Sequence, residues 1–164
     1  VDEIAGIASP STVAIPGHVI QVVQTYKTDA FTMASATTET DITGLSVTIT
    51  PSSTSSKILV VTTVHWSSNA SSNGVLRLRR GTTEIGSSTV GTYNGFSAAN
   101  QGVTDNRLVM PSNIVYLDSP STTSATTYKI TAWTDNNALF AVNRRANNSE
   151  YGMSSHITLM EIAG

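Results

Sequence analysis

The clearest regularity along the chain is alternation by two. In residues 45–51, Leu45, Val47 and Ile49 point one way while Ser46, Thr48 and Thr50 point the other, the pattern of a strand lying on a core with one face only. Similar segments, rich in β-branched residues, predict strands over 19–28, 37–42, 57–67, 74–80, 84–88, 107–117, 126–135, 139–143 and 154–162. Nothing repeats at helical spacing, and the Gly, Asn and β-branched content disfavours any long helix. Turn residues sit between the segments, at Pro51-Ser52-Ser53, Asn73-Gly74, Arg80-Gly81, Asp118-Ser119-Pro120 and Asp135-Asn136-Asn137. About ten short strands predict an all-β antiparallel sandwich or barrel. Its expected core is Leu45, Val47, Ile49, Ile58, Val60, Val64, Leu76, Leu78, Ile130, Ile157 and Leu159.

Three segments are apolar on both faces, which one sheet packed on one core does not explain. In 57–67, Ile58, Val60, Val64 and Trp66 share one side, and Leu59 and Val61 share the other with His65. Residues 19–26 and 156–162 behave similarly. A second cover is implied, and the simplest one is another copy of the chain. Val19, Gln21, Val23, Leu59, Val61, His65, His156, Met160 and Ile162 are then the residues expected nearest the contact with that copy.

With 164 residues the chain is large enough for one domain with its own core. Residues 1–17, with Pro10 and Pro16, read as an extended connector, and 18–164 as the folded head. The chain opens on Val1, as a fragment or processed product would, and its first residues lack the basic start and apolar centre of a signal peptide. Charged residues are only 12% of the total against 39% hydrophobic, so the high-charge, low-hydropathy signature of disorder is missing. A net charge of −2 offers no phosphate-neutralising field, which argues against a nucleic-acid partner, and no apolar run is long enough for a membrane span. Arg77, Arg79 and Arg80 read as solvated or ion-paired strand residues.

Candidate chemistry is sparse. Without cysteine there is no disulfide framework, thiolate nucleophile or Cys-based zinc site. His18, His65 and His156 stand far apart with no carboxylate at ligand spacing, so no metal or cofactor is expected. No G-x-S-x-G turn is present, and the acids fall mostly in turns or connectors. Two segments are too long and irregular for plain turns, 89–106 and 144–153, and loops on a β scaffold commonly carry binding. In the first, Tyr93, Asn94, Phe96, Asn100 and Gln101 mix ring faces with amides. In the second, Arg144, Arg145, Asn147 and Tyr151 add charge to the same mixture, so that together the loops suit a sugar or anionic glycan. The alternative is that Phe96 covers the end of the sandwich and Tyr93 pins its loop. Trp133, alternating against Tyr128, Ile130 and Ala132, is a further candidate for ligand or subunit contact.

The segments PGHVIQVVQTYKTDAFTMASATTETDITGLSVTITPSSTSSKILV, LRLRRGTTEIG, YLDSPSTTSATTYKITAW, VNRR and SSHITLMEIAG resemble a domain of tail-fibre and other virion structural proteins of marine phages and cyanophages. The likeness spans nearly everything from Pro16 onward and lies in whole-segment patterning, not in a catalytic motif. It implies a jelly-roll head, similar to tumour-necrosis-factor and C1q heads, assembled as a homotrimer on a tail fibre or capsid surface. Assembly would take place in the bacterial host cytoplasm, with upstream fibre or other virion proteins as partners. The leading functional reading is non-catalytic binding, through the two long loops, of a host-surface glycan or outer-membrane protein. A purely structural virion part is the second reading, and a polysaccharide depolymerase the third.

Overall fold

The computed structural model describes residues 15–34, 38–68, 73–100, 108–135 and 139–164. Eleven strand segments run through them: β1 Val19–Lys27, β2 Phe31–Ala34, β3 Thr40–Ile49, β4 Lys57–Ser68, β5 Asn73–Arg80, β6 Thr83–Ile85, β7 Ser97–Asn100, β8 Met110–Asp118, β9 Thr126–Thr134, β10 Leu139–Val142 and β11 Ser155–Ile162. All pairings are antiparallel. One sheet has the order β1–β11–β4–β8, with β10 continuing the β11 track along the far end of β4 and β2 pairing with β10; the other runs β3–β9–β5–β6, with β7 on β5. From β3 onward the long strands alternate between the two sheets, the winding of a jelly-roll sandwich.

Every residue expected in the core is buried there. The largest addition is an aromatic stack. Trp66 lies 5.1 Å from Phe140 at 14°, and its indole N–H donates to Ser112 Oγ at 2.8 Å, so the one polar atom of this side chain is satisfied inside the core. Gly74 makes room for the ring: a Cβ there would lie 2.3 Å from Trp66 Cζ3.

The strands differ from the sequence reading in three places. Segments 37–42 and 45–51 belong to the single strand β3, because Gly44, at φ +86°, is absorbed as an irregularity between Asp41 and Ser46 and does not turn the chain. Four-residue β2 is too short to show a period and forms because β10 pairs with it. β7 lies inside the predicted 89–106 loop, recruited by the edge of β5. The expected connector, 1–17, lies mostly outside the described residues; pairing starts where Gly17 N–H donates to Ala163 O at 2.8 Å.

The two outer faces differ in chemistry. On the β3–β9–β5 face, Glu39 accepts from Arg79 Nε at 2.6 Å, Arg79 Nη2 at 2.5 Å and Thr131 Oγ1 at 2.5 Å, while Lys129 pairs with Asp41 at 2.7 Å. Arg77 reaches Glu39 and Glu84 at 3.3 and 3.4 Å. The expected ion pairing of these strand arginines is therefore present. Arg80 instead turns to the end of the sandwich, where Asp118 accepts from it at 2.8 Å and from the buried Tyr128 hydroxyl at 2.6 Å. Burial and the Asp118 hydrogen bond push the Tyr128 hydroxyl far above its ordinary value.

Glu161 is fully buried and has no cation within ion-pair reach among the described residues. Its carboxylate accepts from Gln21 Nε2 at 2.6 Å, from Ser52 N–H at 2.7 Å and from Ser52 Oγ at 2.6 Å, tying β1 and the 50–56 turn to β11. Burial alone would raise its carboxyl, but these donors outweigh it and hold the group below the ordinary 4.5.

Gly74→Ala should overpack the Trp66 site and cost about 1–3 kcal/mol, whereas Gly152→Ala, with open space at its Cβ, should stay within about 0.5 kcal/mol, as urea unfolding of the two variants will show. Because the folded carboxyl of Glu161 lies low, its stabilisation is complete at neutral pH, begins to fall near the ordinary value and is lost as pH drops through the folded value. Thermal melts from about pH 7 to about pH 3 should therefore show a shallower acid loss in Glu161→Gln than in the parent, and parallel profiles would contradict this assignment.

Candidate functional site

The feature that shapes the functional end is a strand broken and resumed. β10 and β11 lie on the same side of β4, with Val142 opposite Trp66 and His156 opposite Thr63, so they continue one track. Between them the chain leaves at Asn143 and returns at Ser155. Asn143 sits at φ +63°, a conformation that Asn tolerates better than most residues. Its side-chain N–H groups donate to Lys27 O at 2.9 Å and Asp29 O at 3.1 Å, and its Oδ1 accepts from Ser155 Oγ at 2.6 Å. The loop neck is closed by Met153 N–H donating to Asn143 O at 2.9 Å and by a bridge between Arg144 and Gly152.

This loop and the outward side of β4 enclose a shallow cleft of about 270 Å³ lined by His65, Val109, Arg145, Tyr151 and Met153. The Arg145 guanidinium carbon lies 3.7 Å from the centre of the half-exposed Tyr151 ring. Arg144 is not a lining group. Its Nε donates to Arg145 O at 2.9 Å and its Nη2 reaches Ala146 O at 3.5 Å, so it shapes the loop from inside. Asn147 is exposed away from the cleft lining. His65 Nδ1 lies 2.7 Å from Ser154 O; a carbonyl can only accept, so this nitrogen carries the proton and Nε2 is left for a ligand.

The other candidate loop is committed to the scaffold. Tyr93 stacks on Trp133 at 5.4 Å, and Phe96 packs against the core with its N–H on Leu76 O at 3.0 Å. Burial acts to raise the Asp135 carboxyl, but donors from Asn73 and Tyr93 outweigh it and leave the group below its ordinary range. These contacts are the ones the pinning alternative expects of Tyr93 and Phe96, although Tyr93 remains 42% exposed. Asn94 places a buried side-chain oxygen there without a partner, the Asn100 backbone pairs with Asn73, and Gln101 lies outside the described residues. Tyr93 and Trp133 belong to the outer side of the β3–β9–β5 sheet and Tyr151 to the opposite sheet, so these rings do not share one surface.

The expected contact residues divide similarly. Met160, Leu59, Val61 and Ile162 face outward, and the pairing rows Val22–Met160–Leu59–Leu117 and Gln24–Thr158–Val61–Val115 cross all four strands. Val22, Val115 and Leu117 are 55%, 69% and 49% exposed, and Val19 is exposed beside Ile162. Gln21 and Val23 are a correction. A register shift between Val19 and Gln21 turns them inward, Gln21 to Glu161 and Val23 to the core, and brings Val22, Gln24 and Tyr26 outward. Beyond these rows the face becomes polar: Tyr26 stacks on His156 at 6.4 Å, and His65 enters the cleft. Sequence reading missed Val109, Met153 and Asn143; an Asn immediately before a loop was the only signal among them.

Among the described residues no group of three or more His, Asp or Glu is placed to hold a metal ion. The architecture as a whole is that of an antiparallel jelly-roll sandwich carrying one inserted loop. No family model matches the chain, and no curated protein matches it. Among solved structures it is similar to chains from infectious bursal disease virus: the Gx strain at TM-score 0.43 with 13% identity, the Gt strain at 0.44 with 14%, and the VP2 subviral particle at 0.37 with 15%. The matches cover 90%, 88% and 88% of this chain but 43%, 38% and 38% of those, so it spans about two-fifths of their length.

Tyr93→Ala should lower stability by about 1 kcal/mol or more through loss of the Trp133 stack, and Tyr151→Ala should stay within about 0.5 kcal/mol, as chemical denaturation of the two variants will resolve.

Proposed function

We propose that the chain is the non-catalytic head of a virion surface protein, a fibre or capsid component, which associates as a homotrimer and presents the 144–153 loop to a host-surface glycan. The observation that carries this reading is the unlike chemistry of the two outer faces. The β3–β9–β5 face is laced with ion pairs and suits water. The β1–β11–β4–β8 face presents Val22, Met160, Leu59, Leu117, Val61 and Val115 as contiguous rows. A continuous apolar patch of this kind marks an association surface, and identical copies covering one another bury it with no second gene product. The cleft lies past the polar end of the face and remains open when the apolar rows are covered, so three copies would act together on a repetitive ligand.

A purely structural virion role is the second reading. It is favoured by the pinning of Tyr93 and Phe96, which leaves one of the two long loops to the scaffold.

Light scattering at micromolar concentration should give three times the 17.3 kDa chain mass. Val115→Asp should reduce this to a folded single chain, because Val115 is 69% exposed in the isolated subunit and its replacement strands a charge only when a neighbour covers it. A single-chain mass for the parent protein, or an unchanged oligomer in the variant, would overturn the assembly.

A further inference from the structure

Resting on the surface-recognition reading, we propose that the cleft between His65, Arg145, Tyr151 and Met153 binds the carboxylate of an acidic sugar, of the uronic-acid type found in charged polysaccharides. The other arginines of the described residues are spent. Arg77, Arg79 and Arg80 pair with carboxylates, and Arg144 is spent on the carbonyls of its own loop. Among the described residues Arg145 has only the Tyr151 ring, which holds its guanidinium in place and takes none of its N–H donors. The loop's own acid, Glu150, turns to Asn148, whose Nδ2 donates to it at 3.2 Å. A partly buried guanidinium with unused donors, held over a ring at the rim of a cleft, is a donor site suited to a planar anion.

The rest of the lining narrows the class. His65, its Nδ1–H held by Ser154 O, leaves Nε2 as an acceptor for a sugar hydroxyl beside the carboxylate site. Val109 and Met153 supply an apolar wall, which matches the C–H face of a sugar ring and not a free inorganic ion. The lining carries a single fixed positive charge, which balances one carboxylate and leaves a phosphate monoester overcharged. The geometry is built before any ligand arrives. The Arg144–Gly152 bridge, the Met153–Asn143 hydrogen bond and the Arg144 side chain set the loop, so little ordering entropy remains to oppose binding.

Calorimetric titration of the purified protein with trigalacturonate, and with its methyl ester, tests this directly. The ester keeps the ring and removes the charge. Binding of the free acid in the range of about 1 mM per site is expected, with the ester and Arg145→Ala each at least about tenfold weaker and Arg145→Lys between them. Equal binding of acid and ester overturns the assignment, as does full affinity in a folded Arg145→Ala, or displacement of the trisaccharide by equimolar inorganic phosphate. The ester comparison needs no variant and so stands even if Arg145→Ala fails to fold. A glycan array of neutral and acidic saccharides separates this proposal from the reading beneath it. Binding confined to neutral glycans removes the carboxylate site and leaves receptor recognition in place, and binding to none removes both.

Discussion

The cleft end of the molecule depends on one asparagine that stops a strand without ending it. Asn143 takes a left-handed backbone, gives its amide hydrogens to two carbonyls at the end of β1 and receives the hydroxyl that opens β11. The strand can therefore lose eleven residues to a loop and resume on the same track, with the β4 register continuous on both sides. Without that pin the loop would have to open at a sheet edge, where neither His65 nor the outward face of β4 could line it.

The sandwich is asymmetric in a way that follows from its winding. The two sheets share one core, but the β1–β11–β4–β8 sheet presents open apolar rows on its outer surface, while the outer surface of the β3–β9–β5 sheet is ion-paired apart from the Val75–Trp133 pair under Tyr93. Charge is concentrated where water is, in the Glu39–Arg77–Arg79–Glu84 cluster, and apolar area is left where another surface can cover it. Cost and benefit are local: ion pairs at a wet surface contribute little individually, while an uncovered row of Val and Leu side chains keeps its hydration penalty until it is met.

Alternation made the scaffold legible. Ile58, Val60, Val64 and Trp66 against Leu59, Val61 and His65 identified the two faces of β4 from spacing alone, and both faces are as read. The same rule failed on β1, where one extra residue between Val19 and Gln21 reverses the facing of all that follows, a shift that sequence period cannot carry. The site was half legible. Arg145 and Tyr151 stood out as a charge and a ring in a long loop that also holds Met153, but His65 and Val109, 80 and 36 residues before Arg145 in the chain, join them only through strand pairing. Tyr93 looked equally suited to a ligand, and nothing local showed that Trp133, forty residues on, would take its ring.

Glu161 bears on the environments the fold can tolerate. The charge lattice on the β3–β9–β5 face is made of opposite ions near water, and dissolved salt screens such pairs. Glu161 is itself fully buried and is held by an amide, a hydroxyl and a backbone N–H, all uncharged, so mobile ions have little purchase on it. In brine the outer lattice slackens while the fastening of β1 to β11 does not, and the molecule keeps its shape across a range of salinities by relying, at its most buried charge, on dipoles.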